Sequence, residues 1–415
     1  MRLRRVIAAA AALAVAGLAL AGCGARAGAA GPRFVVSANP SPVWEPVGIR
    51  LVALPPGQQV TIRASARIGD LWTSQAVYAV PADGEVDLAR QAPLDAPFSA
   101  PDGMGLFWSL RDTTGASATS DEVWGGATVT VDLQATVAGR PVASTEVRRV
   151  GLAAAAPSRA VFDDGITGDY FQPITTASGV RPGVLVFDGT DPGAPTGVLA
   201  AATLSAMGYP ALAISTYGSA GQLDPLRSLP GERVLAAVSW LRSQPGVDDQ
   251  RIFAFGTSRG APLALWAASE YAGTIYGAIA PGGTTGLICP SPVPSPAVTV
   301  GGAWVPCVTG THDVTAAAVL DLRRIPGPVV LGCAGRDEVL GNGCAWMAAA
   351  ARERPAREGD AYVRAPDATH LFYLPPYTPL SLPDPPAAAP TEHAREAVWA
   401  AIAAALTAPS TVPGR

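Results

Sequence analysis

Apolar and polar residues alternate in short runs along the first part of the chain. Val60-Thr61-Ile62-Arg63-Ala64 and Ala127-Thr128-Val129-Thr130-Val131-Asp132-Leu133 put every second side chain on one face, the period of a half-buried strand. Pro, Gly and Asp punctuate these runs and no helical period is sustained, so residues 34–152 are predicted to form an all-β sandwich of antiparallel strands. Residues 153–160, small and mostly Ala, read as a linker. From Val161 onward the pattern changes to continuous apolar runs at 183–187, 210–215, 251–255, 328–333 and 361–364. Such runs suit strands covered on both faces. Helix-compatible stretches at 196–207, 231–242, 261–269 and 391–406 alternate with them, which predicts a mostly parallel α/β sheet with flanking helices over residues 161–410.

The first residues follow another pattern. Arg2, Arg4 and Arg5 precede an apolar stretch over 6–21. That stretch falls short of the ~20 residues of a bilayer span and reads as the core of an export signal. It ends in Leu20-Ala21-Gly22-Cys23, which resembles a bacterial lipobox, where the cysteine is lipidated and heads the mature chain. The expectation is a signal peptide over 1–23, a lipid on Cys23 anchoring the exported protein to the outer face of the bacterial cell membrane, and a flexible tether over 24–33.

Composition narrows the chemistry. The 415 residues are 49% hydrophobic and 15% charged, enough for a sizeable core in two domains. A formal net charge of −4 and the absence of lysine leave no basic stripe for phosphates, so a nucleic-acid partner is not expected. Four of the five cysteines lie beyond Cys23. An even number in an exported chain favours disulfides, and the spacing suggests Cys289–Cys307 and Cys333–Cys344. No CxxC pair or nearby His supports a metal site.

Gly256-Thr257-Ser258-Arg259-Gly260 fits G-x-S-x-G between a strand and a helix, as a nucleophile elbow requires. A serine needs a base, and the base an orienting carboxylate. Of three histidines, His370 lies just past the run 361–364, while His312 precedes the candidate acid and His393 falls within the last helix. Asp337, past the run 328–333, is the expected acid, with Glu338 as its neighbouring alternative. The oxyanion hole is expected from the N–H of Arg259 and one from the loop after Phe187, at Gly189 or Thr190. The fold class expected is an α/β-hydrolase fold preceded by an immunoglobulin-like sandwich.

With these residues in hand, the chain resembles the acyl-CoA thioesterase and bile acid-CoA:amino acid N-acyltransferase family. The matches are Val60–Ala64, Trp72-Thr73-Ser74 and Gly103-Met104-Gly105-Leu106-Phe107-Trp108-Ser109-Leu110, then the Ser258 elbow and His370-Leu371 with Pro375-Pro376-Tyr377. The resemblance implies a Ser or Cys nucleophile with Asp and His acting on an acyl thioester, and no cofactor or metal. Serine goes with hydrolysis in this family. Two features depart from it: Asp191 and Pro192 interrupt the glycine-rich run, and an export signal stands where the family acts on intracellular CoA esters. No compact basic cluster is evident for CoA phosphates, although Arg259, Arg323, Arg324 and Arg336 could gather near the site. The leading expectation is hydrolysis of a small-molecule acyl ester or thioester. The alternatives are transfer of the acyl group to an amine or alcohol, and a non-catalytic envelope binding protein.

Overall fold

In the N-terminal part, two sheets enclose one core. The computed structural model describes residues 31–114, 121–163, 165–174, 179–189, 195–216, 228–290, 295–312, 314–380, 382 and 384–409. Cys23 and the signal segment lie outside them. The larger sheet runs in the order Ser41–Pro42, Arg140–Val150, Val129–Val137, Gln59–Ile68, Asp70–Ala79, Arg111–Asp112, and the smaller is Arg33–Val36, Ile49–Val52, Val86–Asp87. Neighbouring strands are antiparallel, apart from Ser41–Pro42 beside Arg140–Val150. Buried and outward residues alternate along Gln59–Ile68 and Val129–Val137, as they do in strands with one wet face. Ile49, Leu51 and Val86 of the small sheet meet Val60, Ile62 and Leu133 of the large one.

The turn Gly105–Trp108 is buried in this core. A Cβ on Gly105 would stand 2.3 Å from the Phe98 ring, so only glycine fits. Trp108 Nε1 donates to Asp102 at 2.7 Å, and Ser74 Oγ donates to the Leu106 carbonyl at 2.5 Å.

The stretch 153–160 is not a linker. Leu152–Ala155 is helical, Leu152 and Ala156 are buried among C-terminal residues, and Ser158 already begins a strand. Small side chains here allow close packing where composition alone suggested slack.

The C-terminal part contains eight strands: β1 (Ser158–Asp163), β2 (Ile166–Phe171), β3 (Arg181–Phe187), β4 (Ala211–Ile214), β5 (Val247–Gly256), β6 (Gly277–Pro281), β7 (Val329–Ala334) and β8 (Ala361–Ala365). They pair in the order β1-β2-β4-β3-β5-β6-β7-β8. β2 is antiparallel to both β1 and β4, and all other pairs are parallel. This is the strand order of an α/β-hydrolase. The sheet is therefore mixed, not wholly parallel, and β1, β2 and β6 add to the expected strands. β2 has Gly168 and Asp169 at its centre, and β6 is Gly-Ala-Ile-Ala-Pro. Neither offers the β-branched run by which a strand is recognised.

Successive residues of the central strands feed opposite cores. Leu185, Phe187, Ile252 and Ala254 face one side, packing with α2 (Gly231–Arg242), α3 (Gly260–Glu270) and α4 (Gly343–Glu353). Val184, Val186, Phe253 and Phe255 face the other, with α1 (Pro195–Ala206) and α5 (Ala388–Thr407). The segment leading into α5 also enters the N-terminal core: Leu380 and Ala388 are buried there, and Leu380 N–H donates to the Trp108 carbonyl at 2.9 Å. Among the described residues no helix is long and apolar enough to cross a membrane.

Candidate active site

β5 ends at Gly256 and α3 begins at Gly260, so Ser258 occupies a turn only three residues long between two rigid elements. Its φ is +52°, a left-handed conformation that L-residues rarely adopt. Both flanking glycines are required sterically. A Cβ on Gly256 would lie 2.1 Å from the Gly260 carbonyl oxygen, and one on Gly260 would lie 2.5 Å from the Asp188 carbonyl oxygen. This tight turn leaves the Ser258 side chain half-buried at the carboxyl end of the central strand.

Three side chains distant in sequence meet here. Ser258 Oγ lies 3.0 Å from His370 Nε2, and His370 Nδ1 lies 2.9 Å from Asp337 Oδ2. His370 and Asp337 are buried. Burial pushes the Asp337 carboxyl up, but the hydrogen bond and charge of His370 and the amides of Leu340 and Val339 outweigh it. The net effect holds the carboxyl below its ordinary range, so it is an anion at neutral pH. Its Oδ1 accepts those amides at 2.8 and 3.0 Å, leaving Oδ2 for the imidazole. The arrangement fits an Nδ1–H donated to Asp337, with Nε2 left to accept the serine proton.

Glu338 has a different position. Its Oε2 accepts the backbone N–H of His370 at 3.1 Å and does not bond the ring. His312 and His393 are exposed. Arg259 directly precedes α3, so its peptide stands at the positive end of that helix. Gly189 follows β3, is buried, and has open space where a Cβ would be; Thr190 lies outside the described residues. Arg323 pairs with Asp321 at 2.7 Å, Arg324 with Glu270 at 3.2 Å, and Arg336 with Asp384. Of these four arginines, Arg259 is the one that lines the cavity beside Ser258.

That cavity, about 270 Å³, runs between Pro262 and Leu263 of α3, Leu287 and Ile288, and Val339 and Leu340 of the loop bearing Asp337. Cys289 is bonded to Cys307 and Cys333 to Cys344. The second bridge joins the end of β7 to α4 and thereby closes the Asp337 loop at its base. Among the described residues there is no group of three or more His, Cys, Asp or Glu suited to a metal ion.

Several supporting residues did not stand out in the sequence. Asp188, immediately after β3, is buried, which pushes its carboxyl up to about 6 despite hydrogen bonds from Thr216 and the nearby charge of Arg259. It accepts from Thr216 Oγ1 at 2.9 Å and so fastens the end of β3 to that of β4. α5 holds the histidine segment. Arg395 Nε donates to the Leu371 carbonyl at 3.2 Å, Trp399 Nε1 to the Tyr373 carbonyl at 3.1 Å, and Thr391 Oγ1 accepts the Thr369 N–H at 3.0 Å. An Asp closing an apolar strand was the one available sign for Asp188; the α5 contacts join segments too far apart for any local pattern.

Comparison with known proteins bears on the N-terminal part first. Residues 44–158 match the acyl-CoA thioester hydrolase/BAAT N-terminal region. Over most of its length the chain is 26% identical, across 372 residues, to acyl-coenzyme A amino acid N-acyltransferase 1 of Mus musculus, covering 84% of this chain and 88% of that protein. It is 28% identical over 274 residues to acyl-coenzyme A thioesterase 1 of Rattus norvegicus, covering 62% of each chain. Among solved structures, a Mycobacterium tuberculosis puromycin-hydrolyzing peptidase aligns with a TM-score of 0.43 at 16% identity, over 90% of this chain and 68% of that one.

Proposed function

We propose that this protein is a serine acyl-hydrolase acting on acyl thioesters or esters through Ser258, His370 and Asp337. The observation that carries the reading is the unbroken chain of contacts from Ser258 Oγ through the imidazole to Asp337, at 3.0 and 2.9 Å. His370 takes the serine proton as Oγ attacks the acyl carbon, and Asp337 orients the ring and stabilises the imidazolium. The oxyanion that forms lies against the Arg259 N–H at the start of α3, with a second donor from the Gly189–Thr190 loop. Collapse expels the thiol or alcohol, protonated by His370, and leaves an acyl-enzyme. A water activated by the same imidazole then releases the acid. The relatives named acyl-coenzyme A thioesterase support a thioester as one substrate class.

A fluorophosphonate probe tests this. Wild type is expected to be labelled and Ser258→Ala not, with kcat for an ester lowered about 10⁴-fold or more in the variant. Equal labelling of the two overturns the assignment. The N-acyltransferase relative favours a second reading, in which an amine replaces the water. Mass spectrometry of products formed with and without amino-acid acceptors separates the two. The membrane anchor at Cys23 is also a proposal: the full chain expressed in bacteria should enter the detergent phase, and Cys23→Ala should not.

A further inference from the structure

The face that α5 turns to the protein interior is not wholly apolar. Thr391, Glu392 and Arg395 are buried on it beside Val398 and Ile402, and the Glu392 and Arg395 side chains are 0% exposed. Charged side chains are almost never withdrawn from water so completely unless polar partners hold them. Steps of four residues set Thr391, Arg395 and Trp399 along one stripe of the helix, with Glu392 next to it. All four bond the backbone of the segment that carries His370.

Arg395 does so at two places seven residues apart. Its Nε donates to the Leu371 carbonyl at 3.2 Å and its Nη1 to the Thr378 carbonyl at 3.5 Å. Glu392 Oε1 accepts the Tyr377 N–H at 2.6 Å, and Oε2 lies 3.5 Å from Arg395 Nη1. Among the described residues of the C-terminal half, only Ser258 and Tyr377 hold a left-handed backbone without being glycine, Tyr377 with φ +71°. Such a conformation persists where its surroundings impose it. The His370 ring is occupied by Ser258 and Asp337 and its N–H by Glu338. The direction from which the ring approaches Ser258 is therefore set by the adjoining peptides, which α5 holds at Thr369 and Leu371.

We propose that Arg395, with Glu392 beside it, is a positioning residue of the active site: it clips the two ends of Leu371–Thr378 together and so fixes where the His370 imidazole stands between Ser258 and Asp337. The proposal rests on the serine-hydrolase reading, since the placement of His370 governs turnover only if His370 is the base. The effect falls on rate rather than on stability. Buried charged pairs are often replaced by apolar groups of similar volume without loss of stability, whereas a shift of about 1 Å in a catalytic group costs about 10²-fold in turnover. Glu392 acts here as an acceptor. Burial pushes its carboxyl up to about 8 against the attraction of Arg395, and a carboxyl oxygen accepts the Tyr377 N–H in either protonation state.

The test uses the full chain and a p-nitrophenyl ester, with kcat counted per serine labelled to completion by a fluorophosphonate, so that misfolded molecules drop out. Arg395→Met is combined with Glu392→Gln, which leaves no carboxylate buried beside the apolar side chain and keeps an acceptor for the Tyr377 N–H. kcat is expected to fall about 10²-fold with KM changed less than about threefold, and the melting temperature to stay within about 5 °C of wild type. Arg395→Lys keeps one donor but cannot fork to both carbonyls, and its kcat should lie between, about tenfold below wild type. This variant decides the question if the double variant does not fold. A kcat within about threefold of wild type in either variant, or a loss that appears in KM alone, overturns the positioning role and leaves Ser258 as the nucleophile. Wild-type protein that the probe fails to label overturns the serine-hydrolase reading, and the positioning role with it.

Discussion

Asp337 and Glu338 are adjacent carboxylates, yet the backbone turns one toward the imidazole ring and the other toward the main chain of the same histidine. Asp337→Asn should lower kcat about 10³–10⁴-fold, since an amide cannot hold the imidazole in its working tautomer. Glu338→Gln retains an acceptor for the His370 N–H and should cost less than about tenfold, measured on the same ester. Gly260→Ala should abolish activity or soluble expression, because its methyl would meet the Asp188 and Phe187 carbonyls, and backbone cannot yield as a side chain can. That Ser258, His370 and Asp337 lie close together was legible in the sequence, because each follows a recognisable strand and few histidines compete. Asp188 was not legible: its significance depends on Thr216 and on the burial that raises it, both products of the folded sheet.

At the scale of elements, β3, β5 and β7 could be read because continuous Val, Leu, Ile and Phe runs leave few alternatives, whereas β2 and β6 are strands by virtue of their neighbours. The same asymmetry holds for loops. The sequence already places Asp337 among the ten residues between Cys333 and Cys344, but only the fold reveals that the same loop supplies two residues of the cavity wall. Opening this bridge with Cys333→Ser and Cys344→Ser should reduce stability by about 3 kcal/mol, the loop-closure value for a ring of this size, read from denaturant midpoints. Activity should fall further than the unfolded fraction explains, because the Leu340 and Val339 amides that hold Asp337 belong to the released loop.

At the scale of the whole molecule, the N-terminal sheets and the hydrolase sheet meet over a buried acidic group. Burial, with the nearby charge of Asp102, pushes Glu396 up to about 7, and burial pushes Glu392 up to about 8 against the attraction of Arg395; both start from 4.5. For an acid whose folded value is raised, the ionised form is the one the fold disfavours. Its stabilising contribution is therefore complete below about pH 4.5 and is lost as pH rises through 7 to 8. Glu396→Gln should accordingly melt about 1–2 °C above wild type at pH 9 and show no gain at pH 4.5, after discounting for its partial exposure. A smaller or inverted difference between the two pH values would show that burial at this junction does not disfavour the Glu396 carboxylate.

The Leu380 amide that reaches the Trp108 carbonyl has a consequence for ancestry and for engineering. Recombination tends to cut proteins where few contacts cross, and the junction near Pro157 looks from the sequence like such a place. A cut there would separate the segment that follows His370 from the aromatic turn against which it rests, and would leave Leu380 and Ala388 with no core to enter. The two halves are thus expected to be inherited and exchanged together, and a library that shuffles either one should conserve the Gly105–Trp108 turn as strictly as Ser258.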